Sequence, residues 1–170
     1  VRKLLIPALF AGCFGTGAQA AEISAAIGAT GQGAPALRAG LGFGWDQQWF
    51  NTSTGHLTGY WDMGYTYWGA GDQAGTRHTL SFAPVFVYEF GNSGVVPFVE
   101  IGVGVSTFSG SRVGDKKLGS AFNFEDRLGA GIKLTNNQRL GVRVIHYSNA
   151  SIKKPNQGIE SYSLFYSHDI

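Results

Sequence analysis

The chain has 170 residues, 44% of them hydrophobic and only 14% charged, with a formal net charge of +2 and a mean hydropathy near zero. No run of 18 apolar residues occurs, which excludes helical membrane spans; the absence of a basic stripe or a recognisable module excludes nucleic acid as a partner. A single cysteine, Cys13, excludes a disulfide framework and a cysteine-rich metal site.

Residues 1–20 read as a signal peptide, to be removed. Arg2 and Lys3 form a basic start, Leu4 to Phe14 is mostly apolar, and Ala18-Gln19-Ala20 is a small-residue cleavage site. Phe10-Ala11-Gly12-Cys13 offers a lipoprotein attachment box as the alternative, weakened by Phe10 standing where leucine is usual. Without Arg2 and Lys3, the thirteen basic side chains fall to eleven against eleven acidic ones, so residues 21–170 are close to neutral. Those residues form one domain.

Within that domain, period-two alternation dominates. Eight strands are expected, at about 22–30, 35–46, 57–69, 77–90, 95–108, 119–134, 138–148 and 159–168. In the second, Leu37, Ala39, Leu41, Phe43 and Trp45 alternate with Arg38, Gly40, Gly42, Gly44 and Asp46. The third is aromatic on both faces (Tyr60, Trp61, Tyr65, Tyr67, Trp68), which suggests interfacial anchoring rings. The fourth sets Leu80, Phe82, Phe86, Tyr88 and Phe90 against Thr79, Ser81, Ala83 and Glu89. The fifth sets Val99, Ile101, Val103 and Val105 against Glu100, Gly102, Gly104 and Ser106. In the sixth, Leu128, Ala130, Ile132 and Leu134 oppose Asn123, Glu125, Arg127, Gly129, Gly131 and Lys133.

An even number of strands with one apolar face each predicts an all-β fold, an eight-stranded antiparallel up-and-down transmembrane β-barrel. Arg38, Glu89, Glu100, Glu125 and Arg127 then meet in a polar, pair-forming interior, with glycines giving them room. Gly91-Asn92-Ser93-Gly94 and Thr135-Asn136-Asn137-Gln138 read as tight periplasmic turns, and the connections after strands 1, 3, 5 and 7 as outward loops. The connection 47–56 is long for a periplasmic turn; extending the strand through Trp49 and Phe50 would shorten it. Gly40-Leu41-Gly42-Phe43-Gly44 imitates nucleotide-binding glycines but sits inside a strand with no helix following.

The seventh and eighth strands carry the chemistry. Leu140, Val142, Val144, His146 and Ser148 share a face, and Glu160 shares the outward parity of Tyr162, Leu164 and Tyr166. One strand ends at Ser148 and the next begins at Glu160, so all three groups gather at the outer rim. An unactivated serine is a weak nucleophile that a neighbouring imidazole can deprotonate, and a carboxylate can fix the imidazole tautomer. Residues two apart on one face lie about 7 Å apart, and Glu160 reaches His146 as a diagonal neighbour across the hairpin. Asn149, Asn156 and backbone N–H groups after Ser148 are candidates for an oxyanion site.

Four stretches carry a family resemblance: Leu57-Thr58-Gly59-Tyr60-Trp61-Asp62, Ser81 to Phe90 (SFAPVFVYEF), Asn123-Phe124-Glu125-Asp126-Arg127, and above all His146-Tyr147-Ser148-Asn149-Ala150 followed by Pro155-Asn156 and Gly158-Ile159-Glu160-Ser161-Tyr162. On these the chain resembles the lipid A 3-O-deacylases of the PagL type, outer-membrane barrel esterases. The resemblance implies an enzyme that removes the ester-linked 3-hydroxyacyl chain at position 3 of lipid A. It implies Ser148 as nucleophile, His146 as general base and Glu160 as the group orienting the histidine, and Asn156 matches a family asparagine associated with the site. Lipid A or lipopolysaccharide is the substrate, the bacterial outer membrane the location, and no cofactor or metal is implied. The chain ends His168-Asp169-Ile170 where many barrel proteins carry a terminal aromatic.

Two other readings stand beside this one: a non-catalytic small barrel serving adhesion or membrane integrity, and a lipid A acyltransferase. A homodimer is left open, as are acyl-length preference and the regulation of activity. His56, His78 and His168 are dispersed without metal-ligand spacing. Asp126 is a charge on an otherwise apolar face, marking a bulge, a rim position or a partner contact.

Overall fold

Alternation of apolar and polar residues forces every second side chain to opposite faces of a strand, and here the apolar set is the exposed one. In the fifth long strand Val99 and Ile101 are 40% and 57% exposed while Glu100 between them is 2% exposed. That inversion is the mark of a barrel whose solvent is lipid and whose polar groups pair inside.

The computed structural model describes residues 21–170; the expected signal segment and Cys13 lie outside the described residues. Eight long strands close into one antiparallel barrel: β1 (Ala21–Thr30), β2 (Pro35–Gly44), β4 (Gly55–Trp68), β5 (Arg77–Glu89), β6 (Val96–Phe108), β9 (Phe122–Lys133), β10 (Gln138–Ser148) and β11 (Ile159–Asp169). Neighbours in sequence are neighbours in space, and pairing of β1 with β11 joins the two ends. Of three short strands, β3 (Trp49–Thr52) adds to the sheet against β4, and β7 (Arg112–Val113) and β8 (Lys116–Lys117) form a separate hairpin. Connections 45–54, 90–95 and 134–137 and both ends of the described chain share one end of the barrel, the turn end; connections 31–34, 69–76, 109–121 and 149–158 share the other, the loop end.

The interior is filled by charge pairs. Arg127 Nη2 donates to Asp62 Oδ2 at 2.7 Å and to Glu125 Oε1 at 2.6 Å, and Arg38 pairs with the same Asp62 oxygen. Arg143 Nε donates to Glu100 Oε1 at 2.5 Å, and the Tyr60 hydroxyl donates to Glu100 Oε2 at 2.9 Å. Nearer the turn end, Arg139 pairs with Glu22 at 2.6 Å and Lys133 with Glu89 at 3.0 Å. All five interior residues expected from the sequence are buried, and Gly64 shows why glycines accompany them: a Cβ there would collide with the Arg38 guanidinium.

At the loop end the lumen is sealed by an apolar cluster of Ala36, Trp68, Phe108, Val113, Leu118, Ile145, Tyr147 and Ile159. Trp68 Nε1 donates to Thr79 Oγ1 at 2.7 Å, which satisfies the indole inside the seal. Leu118 and Val113 come from the segment around the β7–β8 hairpin, so burial of their side chains holds that hairpin over the barrel mouth.

Three sequence expectations need correction. Tyr60 and Trp68 point inward as a hydrogen-bond donor and a lid, leaving Trp61, Tyr65 and Tyr67 on the outer face. Trp49 and Phe50 do not prolong β2; they belong to β3, which turns at 52–55 and pairs back onto β4 through Trp49–Leu57 and Thr52–Gly55. Expected to begin at 119, the sixth strand starts at Phe122, because Leu118 dives into the seal and Gly119 takes φ +74. Elsewhere the expected strand ends hold to within two residues.

Candidate active site at the loop end

β10 runs toward the loop end with Leu140, Val142 and Val144 exposed on the exterior, and His146 and Ser148 continue that face. Tyr147 between them turns inward and is 1% exposed, held against the Trp68 and Phe108 rings. That buried tyrosine fixes the alternation, so the two polar neighbours cannot swing into the lumen. β11 returns from the loop end, and Glu160 stands directly opposite His146 rather than diagonal to it.

The consequence is a short bond. His146 Nδ1 lies 2.9 Å from Glu160 Oε1, with the side chains 39% and 33% exposed. A carboxylate only accepts, so Nδ1 carries the proton of that bond and the neutral ring keeps Nε2 as an acceptor. On the other flank, Asp126 of β9 also stands opposite His146. Asp126, His146 and Glu160 thus form one row across three strands on the outer surface. Ser148 closes β10 opposite Phe124, half-buried. Among the described residues no hydrogen bond joins its hydroxyl to His146.

The chain folds back immediately after Ser148. Ala150 and Ser151 take φ of 51 and 63, a left-handed region that disfavours side chains by about 1 kcal/mol or more per residue. Hydrogen bonding compensates. Asn149 N–H donates to Asn156 Oδ1 at 3.0 Å, and Ile152 N–H to the Asn149 carbonyl at 3.0 Å. The buried Asn149 side chain donates to the carbonyls of Leu118 (2.7 Å) and Lys153 (2.8 Å) and accepts from Lys153 N–H. Its amide is therefore fully engaged in tying the 149–158 loop to the β7–β8 hairpin. Asn156 is different: a backbone N–H can meet only its oxygen, so its Nδ2 donors are turned away from Asn149.

Gly158 completes the enclosure. Its φ is +65, and a Cβ at this position would lie 2.6 Å from His146 Cε1 and 3.3 Å from Nε2. Only glycine lets the loop pass the imidazole edge.

Every site residue expected from the sequence falls at this one rim: Ser148, His146, Glu160, Asn149 and Asn156. Sequence reasoning missed Gly158 and the hairpin that anchors the loop, and left Asp126 open. The strand parity of Asp126 was readable, but the register that sets it beside His146 was not. Of the remaining histidines, His56 meets Asn92 and Glu89, and His78 meets the Tyr65 hydroxyl at 2.6 Å. Among the described residues no group of three or more His, Cys, Asp or Glu could hold a metal ion.

Known proteins share this arrangement of sequence and fold. The profile of the family described as lipid A 3-O-deacylase (PagL) matches residues 34–169. The lipid A deacylase PagL of Pseudomonas aeruginosa is 64% identical over 149 residues, covering 88% of this chain and 86% of that protein. That of Bordetella bronchiseptica is 34% identical over 124 residues, covering 73% and 68%. A crystal structure of the outer membrane enzyme PagL superposes with a TM-score of 0.86 at 62% identity, covering 88% of this chain and 99% of that one. The N-terminal β-barrel domain of Pseudomonas aeruginosa OprF, at 18% identity and a TM-score of 0.52, shares the fold alone. This chain belongs to the lipid A 3-O-deacylase family.

Proposed function

We propose that this chain is an outer-membrane lipid A 3-O-deacylase whose reaction is carried by Ser148, His146 and Glu160 on the lipid-facing wall of the barrel. The observation that carries the reading is the 2.9 Å bond from His146 Nδ1 to Glu160 Oε1 on the exterior surface. Charged side chains on the lipid face of a barrel are unfavourable by roughly 2–4 kcal/mol at mid-membrane and nearly neutral at the interface. Three polar groups at the rim, continuing the exposed apolar face of β10, fit a substrate that is itself half in the bilayer. With the loop end outward, the row lies level with the sugar headgroups of the outer leaflet.

The proposed steps use this arrangement. As an ester enters, Ser148 Oγ–H donates to His146 Nε2, a contact that tightens only when substrate is bound. Oγ attacks the carbonyl carbon of the 3-position ester while its proton passes to Nε2. Glu160 holds the resulting imidazolium, and the Asn156 amide donates to the oxyanion. Collapse breaks the bond to the sugar oxygen, which leaves with the proton from Nε2. Water, deprotonated by His146, then releases the 3-hydroxy acid and restores the serine. Residues 1–20 act as the export signal in this scheme and residues 21–170 as the enzyme.

Ser148→Ala tests it. The parent chain, expressed in a Gram-negative host, should shift lipid A down in mass by one 3-hydroxyacyl chain, and the variant should leave it intact. Loss of the chain with both proteins would remove Ser148 from the mechanism, and a gain of mass would make the enzyme an acyltransferase.

A further inference from the structure

Two segments at the loop end carry cations and are joined to each other beside the site. Lys117 N–H donates to Gln157 Oε1 at 2.6 Å, and the Lys117 carbonyl accepts from Gln157 N–H at 3.1 Å. Asn149 bridges the Leu118 and Lys153 carbonyls, and the backbone at Gly119 lies against those of Lys153 and Pro155. Lys116 and Lys117 on the hairpin are thereby held next to Lys153 and Lys154 on the catalytic loop. Gln157, the joint, sits between Asn156 and Gly158, the residue against the His146 ring.

Among the described residues none of these four ammonium groups pairs with a carboxylate. Two acids at this end have other partners: Asp115 Oδ1 accepts from Gln73 N–H at 3.1 Å, and Glu160 Oε1 lies 2.9 Å from His146 Nδ1. Charge is also divided between the two ends. The loop-end segments 31–34, 69–76, 109–121 and 149–158 hold Arg112, Lys116, Lys117, Lys153 and Lys154 against Asp72 and Asp115. Connections at the turn end, 45–54, 90–95 and 134–137, hold no lysine or arginine. A domain neutral overall has concentrated unpaired positive charge on the two segments that border Ser148.

We infer that Lys116, Lys117, Lys153 and Lys154 bind the phosphate on the sugar headgroup of the glycolipid substrate and so set which ester meets Ser148. The inference rests on the deacylase reading. Ammonium groups bind phosphate as point charges without a demanding geometry, which suits four flexible side chains over a membrane surface. Holding the phosphate fixes the sugar ring, and one acyl oxygen is presented to the serine while the others face away.

The experiment uses the folded full chain in neutral detergent micelles and two probes with identical acyl chains, phosphorylated and enzymatically dephosphorylated lipid A. The ratio of their KM values is measured for the parent and for K153Q/K154Q and K116Q/K117Q. A lysine near an anionic headgroup is worth on the order of a fivefold change in binding, so each double variant should shrink the parent's preference for the phosphorylated probe by roughly 25-fold. Both doubles should change kcat little. A third arm adds phosphatidylglycerol to micelles holding the dephosphorylated probe. If the lysine effect appears there in full, the cations recognise an anionic surface and the inference falls. An unchanged preference overturns it, and so does an equal loss on both probes, which would mark damage to the loop. Ser148→Ala run in parallel keeps this failure separate from failure of the deacylase reading, because it tests chemistry and not preference.

Discussion

Gly158→Ala isolates the enclosure of the imidazole from everything else in the fold. The new Cβ would sit 2.6 Å from His146 Cε1, whereas carbon atoms rest about 3.5–4.0 Å apart. Either the ring or the loop must therefore retreat by roughly 1 Å. Retreat of the ring lengthens the 2.9 Å bond to Glu160 and turns Nε2 off the line to Ser148. A misplacement of about 1 Å in a reacting group lowers the rate on the order of 100-fold, about 2.7 kcal/mol of barrier. The left-handed backbone adds roughly 1–2 kcal/mol of strain, which a fold stable by about 5–15 kcal/mol tolerates. Gly33→Ala is the control: its φ is +85, yet nothing lies within 4 Å of the added Cβ. Both variants should fold, as judged by heat-modifiable migration on gels. Rates of acyl release from lipid A in micelles should then differ, with Gly158→Ala falling about 100-fold in kcat and Gly33→Ala within about twofold of the parent. If Gly158→Ala stays within about fivefold, or both fall equally, the loop does not position the ring by contact.

Three further outcomes follow from the same geometry. Glu160→Gln replaces an acceptor by an amide that can donate to Nδ1, favouring the tautomer that blocks Nε2, so kcat should fall by up to about 10⁴-fold, at least as far as with Glu160→Ala. Asn156→Ala should lower kcat by roughly 10²–10³-fold with little change in KM, measured on the same release assay, if its amide has the proposed role at the oxyanion and not on bound ester. Arg127→Met leaves Glu125 inside the barrel without its guanidinium and Asp62 with Arg38 alone, and urea unfolding in micelles should show a loss of about 3–5 kcal/mol.

Most of the wall was legible because membrane barrels carry their pattern openly. Alternation with apolar residues outside fixed the eight strands, their order and five of the interior charges, since a slip of one residue would put Arg127 into lipid; Asp62 and Glu22, which complete the pairs, were not singled out. Parity also placed His146, Ser148 and Glu160 on one surface. What parity does not give is register. Whether Glu160 stands opposite His146 or one step away depends on the length of a ten-residue loop whose path is set by left-handed Ala150 and Ser151, residue types that do not announce such a conformation. The same gap hid the neighbour relation of Asp126. Aromatic residues misled for a different reason: Tyr60 and Trp68 are the kind of rings that gird a barrel, but inside a lumen full of carboxylates and threonines a hydroxyl or an indole N–H has partners to bind. Hairpin residues Val113 and Leu118 lack any period, and only their burial shows that they close the mouth.

That closure bears on the proposal that the chemistry sits outside. A lumen could host a substrate only if it offered a way through, and this one is filled at its middle and closed at its loop end. The Arg127 and Arg143 pairs occupy the middle, and eight apolar side chains seal the loop end. A small barrel that satisfies its buried charges in this way leaves an acyl chain little room beside the loop rim, which fits the proposed catalytic groups standing on the wall. The loop rim is where such groups are tolerated: the apolar surface below holds hydrocarbon, the segments above carry cations, and the strand ends bring two antiparallel neighbours into direct register. His146 and Glu160 take that place because β10 and β11 meet there, and because Tyr147, locked between Trp68 and Phe108, fixes which way the histidine points.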